Sequence, residues 1–322
     1  MHGVYKVRVR NQHNSYVFEL QRNITVLRGQ SGRGKTTLFD MIREYNRFGK
    51  QSGVSVSCDA ELIAVDGDNW EKKIHSRPGS IIVVDEDSSF VRSKDFAREI
   101  RGSDHYYLLI TRNYLAELPI SVDEIYELTG EKNKKFKRVY QEIERMFEKA
   151  VVRNLPFKPD VIITEDKRAG FEFFKNRADQ VGIQCVSAEG KANVLAVLNQ
   201  YPDRNVVVIA DGAAFGAEIS DVVEQQKLRP RKLAIFLPES FEWLILRSGV
   251  IPGFDQALLE QAADHADSAL YFSWEQYFTD LIEQATTEPD FVKYRKTKLA
   301  DYYLQERVAL QILEQVKGIK LE

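Results

Sequence analysis

One short run holds the clearest chemistry in the chain: Gly29-Gln30-Ser31-Gly32-Arg33-Gly34-Lys35-Thr36. It fits G-x-x-x-x-G-K-[ST] at every fixed position, directly after a β-rich run at 24–27 and directly before an apolar helix predicted from 36 to about 45. Gly29, Gly32 and Gly34 let the backbone curl so that several N–H groups face one phosphate. The helix start adds the positive end of its dipole. Lys35 would reach the β- and γ-phosphates of a nucleotide, and the Thr36 hydroxyl would hold Mg²⁺. Gln30, Ser31, Arg33 and Thr37 complete the binding loop, with Arg33 read either as a finger acting in trans or as a solvated arginine.

A second run, Ile81-Ile82-Val83-Val84-Asp85-Glu86, is an apolar strand that ends in two acids. Its unbroken apolar character is that of a strand buried on both faces. Asp85 would contact Mg²⁺ directly or through water. Glu86 would orient or deprotonate an attacking water. The next apolar strand, 106–110, runs into Thr111-Arg112-Asn113, where a γ-phosphate sensor belongs at the carboxyl edge of a sheet.

The stretch from Phe18 to Leu38 and the run I-I-V-V-D-E resemble the nucleotide core of ABC-type P-loop ATPases. The span from Thr36 to Ile81 is too short for the usual helical insert, and no LSGGQ-like motif follows. The resemblance implies ATP as ligand. It does not extend to the half of an ABC site that closes a dimer, so the missing charge would come from another subunit, a partner or Arg112. A guanine-reading N-K-x-D is absent, because Asn133-Lys134 continues as Lys135-Phe136.

The second half of the chain places acids after two further apolar strands. The strand at 161–164 ends in Glu165, and the strand at 206–210 ends in Asp211. In a parallel sheet, neighbouring strand ends put both carboxylates on one rim, where they could share a divalent metal. V-I-I-T-E (161–165), S-A-E-G-K-A-N-V (187–194) and V-V-V-I-A-D-G (206–212) together resemble a TOPRIM domain. A P-loop ATPase followed by such a domain is the order found in OLD-family ATPase-nucleases. The resemblance covers roughly residues 159–247. It implies Mg²⁺ or Mn²⁺ at Glu165 and Asp211, a DNA or RNA substrate, and a setting in phage defence.

Two departures stand out. Asp211-Gly212-Ala213 replaces the family's D-x-D, and Asp166 replaces the glycine expected after the first Glu. Glu218, Glu239 or Glu242 could complete a metal shell. Lys191, after Gly190 at a strand–helix junction, reads either as a phosphate contact that assists cleavage or as a surface lysine.

These residues need an α/β scaffold to position them, and alternating strands and helices predict one. The expected organisation is a P-loop NTPase domain over 1–130, a basic connecting helix and linker over 131–158, a TOPRIM-like parallel α/β domain over 159–250 and a mostly helical region over 251–322. Apolar residues 136, 139, 140, 143, 146, 147 and 150 follow helical spacing, which predicts a helix over 136–151. A second long helix is predicted over 289–321. The segment 131–158 carries far more Lys and Arg than Glu, with Lys132, Lys134, Lys135, Lys137 and Arg138 packed at its start. It reads as a solvated face or as a track for a phosphate backbone.

The chain has 322 residues, a net charge of -3 and 29% charged residues, an ordinary globular composition that excludes a mainly disordered chain. The lack of a long apolar run argues against a membrane partner. Two cysteines, Cys58 and Cys185, build neither a disulfide framework nor a zinc cluster, so a cytoplasmic location is expected. The five histidines show no metal spacing. Two functions stay open. One is an enzyme whose Mg-ATP cycle gates a TOPRIM-like nuclease. The other is a non-catalytic ATP-dependent switch in which a degenerate TOPRIM-like domain binds a protein or nucleic-acid partner. Homodimerisation is an expectation of either.

Overall fold

The computed structural model describes residues 1–29, 32–67, 69–133, 138–147, 157–288 and 290–316. The chain forms two compact units. The first comprises Met1–Glu148 with Gln261–Ser273, and the second Lys149–Glu260 with Trp274–Glu322. Both are α/β. No helix among the described residues is long and apolar enough to cross a membrane.

The first unit contains, in chain order, β1 (Tyr5–Arg10), β2 (Asn14–Leu20), β3 (Ile24–Arg28), α1 (Lys35–Phe48), β4 (Ser55–Ser57), β5 (Leu62–Val65), α2 (Trp70–Ile74), β6 (Ile81–Val84), α3 (Lys94–Ile100), β7 (Tyr106–Ile110), β8 (Ile125–Asn133) and β9 (Arg138–Arg145). Among the described residues its nine strands form one sheet in the order β4-β1-β2-β9-β8-β3-β7-β6-β5. The strands β8, β3, β7, β6 and β5 are mutually parallel. In this part β6 and β7 are buried along their whole length, as their continuous apolar sequences require. β1 and β2 pair antiparallel at the other side, and there the pattern alternates. Val7 and Val9 face the core while Lys6, Arg8 and Arg10 face water. Helix α1 buries Leu38, Phe39, Met41 and Ile42, and these pack with Leu27 of β3 and Val83 of β6.

The second unit contains β10 (Val161–Thr164), α4 (Ala169–Gln180), β11 (Gln184–Ser187), α5 (Val194–Leu198), β12 (Val206–Ile209), α6 (Ile219–Leu228), β13 (Leu233–Phe236), α7 (Phe241–Arg247) and α8 (Ala257–Glu260). The chain contributes α9 (Ala262–His265) to the first unit, then returns as α10 (Trp274–Ala285), α11 (Asp301–Leu304) and α12 (Glu306–Leu313). Four parallel strands lie in the order β11-β10-β12-β13. Thr164 is in register with both Ser187 and Ile209, and Ile209 with Phe236, so all four carboxyl ends share one edge.

Two predicted helices are corrected. Residues 138–145, within the helix expected at 136–151, form β9, which pairs antiparallel with β8 and parallel with β2. Along β9, Val139, Gln141 and Ile143 are sheltered, while Tyr140, Glu142 and Glu144 are exposed. The period is two, and polar Gln141 on the sheltered side disguises it. Two strand edges waiting on either side satisfy the backbone, and that tertiary pairing overrides the helical spacing. The basic connecting helix expected over 131–158 is therefore, over 131–133 and 138–145, sheet of the first unit. Residues 134–137 and 148–156 lie outside the described residues, and with them Lys134, Lys135 and Lys137.

The long C-terminal helix is also broken. Gln305 is extended (φ -59°, ψ 135°) between α11 and α12, and Tyr303 is anchored through its hydroxyl to Val292 O at 2.6 Å. The region 251–322 is not a separate body, since Gln261–Ser273 belongs to the first unit and the rest to the second.

Candidate functional site

The parallel strands β3, β6 and β7 bring three sequence-predicted segments to one sheet edge. Leu27 is in register with Ile110, and Val84 with Leu109. The glycine loop therefore leaves β3 beside Thr111-Arg112 at the end of β7, with Asp85-Glu86 next along at the end of β6. Strand order reverses around β3, since β8 lies on its other flank. That is where α/β sheets open a binding crevice.

Gly29, Gly32 and Gly34 have φ of 123°, 77° and 100°, a region that side chains rarely tolerate. Gln30 and Ser31 lie outside the described residues. Lys35 folds back across the loop, its Nζ donating to Gly29 O at 2.7 Å. Burial pulls the Lys35 ammonium below the usual lysine range, while Glu86 opposes that fall and Arg112 adds to it. The first helical bond of α1 runs from Leu38 N–H to Gly34 O at 3.0 Å. The N–H groups of Lys35, Thr36 and Thr37 thus stand outside the helix ladder, as at any helix start. The Thr36 residue is exposed.

The loop is braced from β2 and β9. Tyr16 Oη donates to Gly34 O at 2.8 Å, and a Cβ on Gly34 would come within 2.9 Å of Tyr16 Oη and 3.3 Å of Gln141 Nε2. Burial pushes the Tyr16 hydroxyl up to about 12, partly offset by a hydrogen bond with Thr37, so it stays a donor near neutral pH. Sequence reasoning missed Tyr16 and Gln141, because only the long-range β2–β9 pairing brings them to the loop.

Asp85 Oδ1 is buried and has no hydrogen-bond partner. Burial raises the Asp85 carboxyl above its usual range, and Asp87, Asp40 and Glu86 add to the rise against the Glu86 N–H. An orphaned carboxylate oxygen carries an uncompensated desolvation cost. On the sheet edge that carries the glycine loop, such an oxygen fits the chemistry of a hydrated divalent cation, which Asp85 and Thr36 would hold. Glu86 Oε1 is 2.7 Å from Arg112 Nε. Thr111 is wholly buried and turned to its own loop, accepting from Asn113 N–H at 2.9 Å. Of the two sensor candidates, Arg112 is therefore the one that reaches the acid pair.

The second unit also brings its two predicted acids together. Asp211 N–H donates to Glu165 Oε2 at 3.0 Å, across the ends of β10 and β12. Both line a small cleft with Thr164, Phe174, Pro238 and Phe241. Burial pushes Glu165 up to about 8; Glu275 and Glu218 add to this, and the Asp211 N–H and Lys191 oppose it. Asp211 is raised by burial and then by Glu275, Glu165 and Glu242, with Lys296 opposing.

The other second-half candidates are accounted for individually. Lys191 turns inward, its Nζ donating to Ala214 O at 3.1 Å and lying 3.9 Å from Glu218 Oε2. Asp166 accepts N–H groups from Arg168, Gly170 and Phe171 and so caps the start of α4. Where a D-x-D pattern would place its second aspartate, the Ala213 methyl is buried and the Ala213 N–H donates to Glu239 O at 3.1 Å. Gly212 is required there, since a Cβ would meet Pro238 O at 2.9 Å and Leu237 O at 3.0 Å. Of Glu218, Glu239 and Glu242, Glu218 adds to the rise of Glu165 and Glu242 to that of Asp211, while Glu239 is buried and accepts the Ala213 N–H through its backbone oxygen. Glu275 and Lys296 were missed, for no local motif marks either. Among the described residues no group of three or more His, Cys, Asp or Glu is arranged to hold a metal ion.

No protein-family model matches the chain, and no curated protein matches it as a relative.

Proposed function

We propose that this protein is a P-loop ATPase whose first unit binds and hydrolyses Mg-ATP and acts as a switch on a TOPRIM-like second unit that engages a nucleic-acid or protein partner. One observation carries the reading: three left-handed glycines and the inward Lys35 share a sheet edge with the unpartnered Oδ1 of Asp85. In this reading the loop N–H groups and Lys35 hold the phosphates, and Thr36 and Asp85 would hold Mg²⁺, which would supply charge neutralisation. Glu86 takes a proton from the water that attacks the γ-phosphorus as the bond to ADP breaks, and Arg112 positions Glu86.

Chain continuity supports coupling. Asn23 Nδ2 donates to Tyr271 O at 2.6 Å, and Asn23 O accepts from Tyr107 N–H at 2.7 Å. The segment that carries Tyr271 is thus bound beside the start of β7, the strand that ends at Arg112. Within a few residues it continues into α10 and Glu275. Homodimerisation and a phage-defence setting stay within the proposal.

A second reading, ATP-gated cleavage of DNA or RNA with Mg²⁺ or Mn²⁺, is favoured by the meeting of Glu165 and Asp211 at adjoining strand ends. The test is nucleotide binding and phosphate release by the wild type, Lys35→Ala and Glu86→Gln, beside cleavage assays on plasmid, single-stranded DNA and RNA. Binding lost in Lys35→Ala and turnover lost in Glu86→Gln are expected. Wild-type protein that binds no ATP would end the proposal, and cleavage lost in Asp211→Ala would establish the second reading.

A further inference from the structure

We infer that the carboxylate cluster of the second unit carries its own cation, the Lys296 ammonium, and does not take a divalent metal ion. The inference is independent of ATP binding by the first unit and opposes the cleavage reading.

Lys296 Nζ lies 2.6 Å from Glu275 Oε1 and 3.5 Å from Glu242 Oε1. Glu242 is 2% exposed, and its Oε1 also accepts from the buried Tyr294 hydroxyl at 2.7 Å. Lys296 also opposes the rise of the Asp211 carboxyl. One lysine therefore ties the first turns of α7 and α10 together. A second ammonium, Lys191, lies 3.9 Å from Glu218 Oε2 and opposes the rise of the Glu165 carboxyl.

One buried carboxylate oxygen here, Glu242 Oε2, has no hydrogen-bond partner, and a divalent ion finds little beside it. Mg²⁺ wants oxygen ligands in near-octahedral array at about 2.1 Å, with one or two carboxylates committed to it. Glu275 Oε1 and Glu242 Oε1 are already shared with an ammonium, and Glu165 Oε2 with the Asp211 N–H. The strand that would supply another carboxylate supplies the buried Ala213 methyl. An ammonium among the acids repels an incoming dication at close range, where the sheltered surroundings weaken screening. The same lysine gives the buried Glu242 the partner that a buried charge requires. The cluster is thus an internal clasp of ion pairs at a sheet edge.

The experiment is Mn²⁺ binding to the nucleotide-free full-length chain, read from the paramagnetic resonance signal of free Mn²⁺. The proteins compared are the wild type, Asp211→Asn, Lys296→Ala, Lys296→Arg and the Lys296→Ala/Asp211→Asn double variant. Any ion held at Thr36 and Asp85 is common to all five. The wild type, Asp211→Asn and Lys296→Arg are expected to bind alike. Lys296→Ala is expected to bind one further ion at least about tenfold more tightly than the wild type, and to lose it again in the double variant. A wild-type ion that Asp211→Asn abolishes overturns the inference, as does folded Lys296→Ala that binds no more than the wild type. Should Lys296→Ala fail to fold, the comparison of the wild type with Asp211→Asn decides alone.

Discussion

Arg112 Nε lies 2.7 Å from Glu86 Oε1, so the ends of two neighbouring parallel strands meet in one ion pair at the edge that carries the glycine loop. The Arg112 side chain is 48% exposed and that of Glu86 25%. A pair this open contributes little to stability, and its value lies in aim. Glu86→Gln is expected to leave nucleotide binding intact and to lower turnover by about 10²–10⁴-fold, the usual range for a general base. Arg112→Ala should lower turnover less, and should add almost nothing once Glu86→Gln is in place, because the two act as one unit. Steady-state phosphate release from the two single variants and the double variant measures this. Independent, multiplying losses would dissolve the pairing argument.

Gly34 and Tyr16 make a second, separable test. A side chain at residue 34 must adopt φ near +100° and meet Tyr16 Oη at 2.9 Å. Gly34→Ala should therefore lose nucleotide binding, with strain of about 1–3 kcal/mol. Tyr16→Phe removes the hydrogen bond to Gly34 O, which still accepts from Leu38 N–H, and the one with Thr37. Each loss should cost about 0.5–1.5 kcal/mol of stability and leave affinity within severalfold of wild type. Equilibrium binding of a fluorescent ATP analogue separates the two. Equal effects from both variants would mean that the left-handed conformation is not what the loop requires.

What could be read in the sequence divides along physical lines. The glycine loop, the apolar strand before Asp85 and the parallel strands before Glu165 and Asp211 were legible, because their constraints are local: glycine where φ is positive, unbroken apolar residues where both faces are covered. β9 was misread, since Gln141 breaks its alternation and only pairing with β2 and β8 decides between strand and helix. Tyr16, Glu275 and Lys296 were invisible for a related reason. Each reaches its site through contacts distant in sequence, and none sits in a spacing that chemistry dictates.

Gly212 predicts the behaviour of the second unit's acidic edge. Its N–H donates to Pro238 O at 2.6 Å, and its missing Cβ is the gap that lets the ends of β12 and β13 approach. Gly212→Ala forces backbone apart and should destabilise the protein by about 1–3 kcal/mol, the range for overpacking a tight site. Urea unfolding followed by circular dichroism measures it. A midpoint unchanged from wild type would show that the edge yields freely, and the placement of Asp211 against Glu165 would lose its structural basis.

His105 carries a pH dependence whose sign is fixed. It is buried, and its Nδ1 accepts from Ser80 N–H at 3.1 Å, an arrangement only the neutral ring allows. Burial holds the imidazole below its ordinary value of about 6.5, with Asp104 opposing and His75 adding to the fall. Below that ordinary value the unfolded chain takes up a proton that the folded chain refuses. Stability from this group is therefore present above pH of about 6.5 and is lost as pH falls toward the depressed folded value. His105→Asn retains an acceptor for Ser80 N–H and has nothing to titrate. The urea midpoint of the wild type should fall more steeply than that of His105→Asn between neutral pH and about pH 5.5. Parallel slopes would mean that the buried ring is protonated in the fold, contrary to the Ser80 hydrogen bond.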